Sequence, residues 1–246
     1  MLSIPFSYVS SIIGENQYKD IQTETRTVLW KYNTNKDPSK KSKTTFEKQQ
    51  FPLLKDLETN HTDFFQTYIT SSKIKQYQRR ADQIMWDLCK KHGVSYKYHK
   101  SLLYKKRGFV LENTLIEKYN SQYDVQVEPC EQITRYCVEG SLELSKEIAP
   151  NCYRLIGKAD GEYDDTVIEC KCRRNGFRWF YFERIQLALY ILGYGKKQGK
   201  LVEMYEGKLK VYTMSLSEAK HIFYTIKDRL DVWVDSNKGS AIPVST

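Results

Sequence analysis

Two carboxylates and an amine stand close together in the middle of this chain. They lie in Gly157-Lys158-Ala159-Asp160-Gly161 and in Ile168-Glu169-Cys170-Lys171. On a strand, residues two apart point to the same side, so Glu169 and Lys171 share one face. A hairpin turning at Asp164-Asp165 would fold Asp160 back beside them. The flanking Val167, Ile168, Cys170 and Cys172 supply an apolar face, with the charged pair on the other. Two carboxylates can hold a hard cation, and the amine can position a water or help deprotonate it. That is the equipment of metal-assisted hydrolysis.

Such a site needs a rigid support, and the rest of the chain can build one. At 246 residues the chain is long enough for a sizeable core, and 40% hydrophobic with 28% charged residues is the balance of a soluble globular protein. We read it as a single domain over 1–246. Residues 1–32 form an N-terminal helical motif, 33–60 a polar loop or insertion, 61–124 a helical part and 125–246 a sheet-containing core. Helices are expected over 7–14 (ending at Gly14), 23–32, 72–92 (stopped by Gly93), 108–119, 181–194 and from the Ser215/Glu218 capping box to 234. Strands are expected over 125–129, 133–139, 153–162, 166–172, 200–206 and 208–214. The order gives an α/β fold, a mixed central β-sheet flanked by helices.

The charge of +9 attracts polyanions, nucleic acid above all. Lys73, Lys75, Arg79 and Arg80 on the 72–92 helix are candidate phosphate contacts. No apolar run approaches the roughly 20 residues that span a bilayer, and the N-terminus lacks a basic start and a small-residue cleavage site. An intracellular protein, cytoplasmic or nuclear and not secreted, is expected. The six cysteines then read as reduced thiols. With no C-x-x-C pair, scattered histidines and no cysteine after Cys172, neither zinc nor an iron–sulfur cluster is expected.

Gly157-x-x-Asp160-Gly161 followed by Ile168-Glu169-Cys170-Lys171 resembles the PD-(D/E)XK nuclease core, with Ala159 in place of the leading Pro. Arg107-Gly108-x-x-x-Glu112-Asn113 resembles the preceding helix motif of the phage lambda exonuclease (YqaJ-like) branch, and Gln186-x-x-x-Tyr190 the helix that follows. Ser7, Ile12-Ile13-Gly14 and Asn16-x-Tyr18 are similar to that branch's amino-terminal motif, in the same order along the chain.

The resemblance implies a restriction-endonuclease-like core and a Mg²⁺-dependent deoxyribonuclease, Mn²⁺ suiting the same oxygens. By position, Asp160, Glu169 and the Cys170 backbone carbonyl would hold the metal, with Glu112 on the metal or its waters. Lys171 would hold the attacking water, its pKa lowered by the metal, and Gln186 would orient the site. Ser7, Tyr8, Arg107, Arg184 and Tyr190, with Arg79 and Arg80, would contact DNA. Tyr8 stands where relatives commonly carry an Arg tied to a 5′-phosphate, and Arg184 where a second Gln is frequent. The expected activity is digestion of linear double-stranded DNA from an end, in recombination, repair or viral DNA processing. Single-stranded DNA, a homo-oligomer and a single-strand annealing partner are compatible with it. An endonuclease on the same core and a non-catalytic basic DNA-binding protein are the alternatives.

Overall fold

Among the described residues two short mixed sheets form where one was expected. The computed structural model describes residues 2–33, 56–57, 59–71, 74–138 and 153–237. Strands β1 (Ser3–Pro5), β2 (Thr134–Val138) and β3 (Tyr153–Gly157) make the first sheet, in the order β1-β3-β2. Strands β4 (Gly161–Tyr163), β5 (Thr166–Cys172), β6 (Gln198–Tyr205) and β7 (Lys208–Ser215) make the second, in chain order. β1 runs parallel to β3 and β5 parallel to β6, and the other pairs are antiparallel.

The helices are α1 (Phe6–Ile12), α2 (Ile21–Asn33), α3 (Thr62–Thr70), α4 (Ile74–His92), α5 (Tyr96–Tyr123), α6 (Tyr181–Tyr194) and α7 (Leu216–Asn237). The chain is thus mixed α/β, with mixed sheets flanked by helices.

Packing explains the assignment. On β5 and β6, Ile168, Cys170, Val202 and Met204 meet Leu111, Leu115 and Tyr119 of α5. On the other face, Val167 and Leu201 join Ile185, Ala188 and Leu189 of α6 and Ile222, Ile226 and Leu230 of α7. β5 is therefore covered on both sides, and Val167 shares the face of Glu169 instead of opposing it. This corrects the one-apolar-face reading: a strand sandwiched between helices is apolar on both faces.

Several boundaries also move. The expected strand over 125–129 shrinks to one bridge, Glu128 to Glu162. The expected strand over 153–162 breaks after Gly157 and resumes at Gly161. The helix read as 108–119 begins at Tyr96, because the Lys-rich turns before Gly108 also bury Leu103 against α3 and α4. β1 went unread. Residues 34–55 and 58 of the expected polar segment, and the side chains of Trp30, Lys73 and Lys75, lie outside the described residues. Residues 56–57 and 59–60 are helical.

The last turn of α4 carries Lys90, Lys91 and His92, which suits the negative end of the helix dipole. Asp56 accepts from Lys91 (2.7 Å), Asn60 (2.5 Å) and His92 (2.8 Å), partners that hold its carboxyl well below the usual carboxylate range. A depressed carboxyl adds stability that is complete above its unfolded pKa of about 4 and fades as pH falls through the folded value. Asp56→Asn should therefore be less stable than wild type at pH 7, with the gap closing below about pH 4. Urea titrations across that range measure it, and a gap independent of pH would exclude this role.

Candidate active site

The Asp160 bend belongs to neither sheet, and its two glycines explain how it fits. Neither has a positive φ. A Cβ on Gly157 would enter the Phe6 ring. A Cβ on Gly161 would strike Val127 Cγ1 and come within 3.0 Å of the Glu128 carbonyl oxygen. Both are required for close approach. Two tyrosines of α6 hold the backbone between them. Tyr190 Oη donates to the Lys158 carbonyl (2.9 Å), and Tyr194 Oη accepts from the Ala159 N–H (3.3 Å).

The turn at Asp164 (φ 45°) brings β4 back along β5 in the expected hairpin. That pairing ends at Ile168, opposite Gly161. Beyond it the Cys170 N–H donates to Asp160 Oδ2 at 2.6 Å. A residue's N–H and C=O lie along the same edge of an extended strand, so the Cys170 carbonyl faces the Asp160 side as well.

Glu169 is 4% exposed. Its Oε1 is shared by the Lys171 ammonium and by Gln186 Nε2 (3.2 Å), which also donates to Tyr190 Oη (3.0 Å). Its Oε2 is buried with no hydrogen-bond partner among the described residues. Such an atom is costly unless something else meets it.

The electrostatics tie four groups together. Burial, aided by Glu112, pushes Asp160 up to about 6, against Lys171 and the Cys170 N–H. Burial and the Asp160 charge raise Glu169, with Lys171 opposing. Burial and Glu169 raise Glu112, while Lys171 and Lys158 pull it down. Burial works against the Lys171 charge, yet the Glu169 and Asp160 carboxylates raise its pKa. In the chain itself that direction is the opposite of the lowering expected from a metal.

Among the described residues no three His, Cys, Asp or Glu side chains are grouped as metal ligands. The set that fits a cation is smaller: Asp160, Glu169 with its orphaned Oε2, and the Cys170 carbonyl edge. Mg²⁺ commonly takes only one or two carboxylates, keeping water and substrate oxygens for the rest.

The other expected site residues fall into two groups. Gln186 and Glu112 join the cluster. The DNA-contact residues mostly do not. Arg107 is 3% exposed; it donates to the Ser71 carbonyl at the end of α3 (2.6 Å) and lies 6.0 Å from the Tyr68 ring centre. It closes a helix end instead of facing solvent. Tyr190 is buried as the strut described above. Arg184 is half-buried over Trp179 (5.3 Å), with its Nε buried and without a hydrogen-bond partner among the described residues. Ser7 is exposed on α1, and Tyr8 packs partly against the core. Arg79 and Arg80 are exposed on α4, which packs on α3 and α5. A cavity of about 830 Å³ lined by Cys130, Arg135, Glu162 and Tyr194, among others, does not include the four clustered groups.

Sequence reasoning missed Arg173. Its guanidinium donates to both Glu183 oxygens (2.8 and 2.7 Å), to Glu203 and to the Arg178 carbonyl (2.6 Å). Glu203 in turn accepts the Arg178 N–H (2.9 Å), and Glu183 the Phe180 N–H at the start of α6 (3.2 Å). This buried group fixes the path from β5 to the helix carrying Gln186. An acid at the inward position of β6, between Leu201 and Met204, was its one sequence signal.

No protein-family model matches the chain, and no curated protein matches it. A solved structure described as the crystal structure of SSO0001 is similar with a TM-score of 0.39 and 18% identity, over 75% of this chain and 85% of that one. Among the described residues no helix is long and apolar enough to cross a membrane.

Proposed function

We propose that this protein is a metal-dependent deoxyribonuclease, built on a restriction-endonuclease-like core, that digests linear duplex DNA from an end. The observation that carries the reading is the meeting of Asp160, Glu169 and Lys171 beyond the end of β4, with a buried Glu169 oxygen left unmet. Asp160, Glu169 and the Cys170 carbonyl would hold Mg²⁺, with Glu112 close by. The cation would supply charge stabilisation at the phosphate oxygens and a more acidic water.

The chain's own groups do the rest. Lys171, held as an ammonium, donates to a water or phosphate oxygen on the Glu169 side. Gln186 keeps Glu169 turned by one hydrogen bond while Tyr190 keeps Gln186 turned by another. The surplus of Lys and Arg draws the polyanionic substrate.

The test is hydrolysis of linear duplex DNA beside covalently closed circles, with Mg²⁺ and with excess chelator. Loss of the linear form alone, abolished by chelator, is expected. Cutting of circles would make the enzyme an endonuclease. Binding without cleavage of either form would leave a DNA-binding protein and remove the hydrolase.

A further inference from the structure

The chain's positive charge is concentrated in one hairpin. Residues 74–107, which make α4 and the first half of α5, hold ten Lys and Arg against two acids, Asp82 and Asp87. Eight of the chain's nine net positive charges arise there. A solvated helical surface needs no such imbalance, since interspersed signs keep it soluble.

Aromatic rings interleave with these cations. Trp86 is 52% exposed and meets Tyr96 edge-on at 5.3 Å, over a cavity of about 320 Å³ that Lys90 also lines. Lys100 Nζ lies 5.1 Å from the Tyr96 ring centre and 5.8 Å from that of Tyr104. Asp82 holds Lys100 there at 2.8 Å. The Arg174 guanidinium stacks 3.7 Å over Tyr104, with no carboxylate partner among the described residues. Tyr96, Lys100 and Tyr104 are successive i, i+4 positions and so one stripe of α5. Arg174 follows Lys171 by three residues, which joins the row to the segment that carries the site lysine.

Gly108 adds an independent sign. A glycine inside a helix weakens it, and usually a packed neighbour explains its presence. Here nothing among the described residues lies within 4 Å of where its Cβ would be. Bare backbone one turn before Glu112 leaves room for a closely lying chain.

We infer that the α4–α5 hairpin is the track for an unpaired nucleic-acid strand, which stacks bases on Trp86 and Tyr96 and passes Tyr104, Arg174 and Gly108. The exposed Trp86 and the partly buried Tyr96 among cations suit unpaired bases, because base faces in a duplex are already stacked. The inference rests on the nuclease reading only for where the strand leads.

The test is fluorescence anisotropy of a labelled dT homopolymer of about 20 nucleotides, and of a blunt duplex of the same length, in EDTA so that nothing is cut. Trp86→Ala should bind the homopolymer about tenfold more weakly and leave duplex affinity unchanged, while Trp86→Tyr keeps most of the affinity. Arg174→Gln should weaken binding and reduce the salt slope by about one. Circular dichroism checks that each variant is folded. Equal homopolymer binding by wild type and Trp86→Ala, or equal losses on both DNAs, would overturn the track. If wild type cleaves linear DNA with Mg²⁺ while Trp86→Ala binds the homopolymer normally, the track falls and the hydrolase stands. Selective loss of homopolymer binding without any cleavage by wild type keeps the track and removes the hydrolase.

Discussion

Asp160→Asn is expected to lower Mg²⁺-dependent hydrolysis of linear duplex DNA by about 100- to 1,000-fold or more, the scale seen when one preorganised electrostatic partner is removed. The change is isosteric. The amide oxygen can still accept the Cys170 N–H, so the bend should keep its place while losing its charge. Lys171→Ala should lose activity on the same scale, and also stability, because it strips the nearest cation from the buried Glu169. Single-turnover assays with melting curves separate the two effects. An Asp160→Asn enzyme that keeps more than about a tenth of wild-type activity would remove Asp160 from the site.

Arg173→Leu should be the most damaging single change to the fold, costing about 3–5 kcal/mol in urea denaturation. Arg173 is only 15% exposed, and it faces Glu183 at 4% and Glu203 at 0%. Burial raises Glu203 even with Arg173 pulling the other way, so removing the guanidinium leaves two desolvated acids with backbone N–H partners but without their cation. Adding Glu183→Gln and Glu203→Gln should recover much of the loss, since neutral side chains of similar shape replace buried ions at small cost. A single variant within about 1 kcal/mol of wild type would show that water reaches this group.

The parts of this protein readable in one dimension are those governed by local rules. The Asp164-Asp165 turn, the Glu206-Gly207 turn (φ 49° and 75°) and the Ser215/Glu218 capping box all depend on neighbours within four residues. Glu169 and Lys171 were legible because the strand period aims both to one side, whereas Gln186 was marked only by the resemblance of Gln186-x-x-x-Tyr190. The DNA-facing role expected of Arg107 and Tyr190 was not recoverable in that way. Arg107 is claimed by a carbonyl 36 residues upstream, and Tyr190 by one 32 residues upstream. Arg173 has partners 10 and 30 residues away, a spacing with no periodic signature. The parallel edge of the first sheet likewise depends on β1, three residues whose pairing partner lies about 150 positions on.

The bend carrying Asp160 links two sheets that share one core through α6, and this bears on how the protein should fail when heated. Ile4, Phe6 and Leu155 pack in the same core as Val167 and Leu201, all against α6, while α5 covers the outer face of β5 and β6. Elements that share one core in this way open together as one cooperative unit. A hydrogen bond from Cys170, the pairing of Gly161 with Ile168 and the struts from α6 keep Asp160 in register with β5. Heat should therefore abolish chemistry and the spectroscopic signal of both sheets in a single transition, with no inactive intermediate that keeps its full signal.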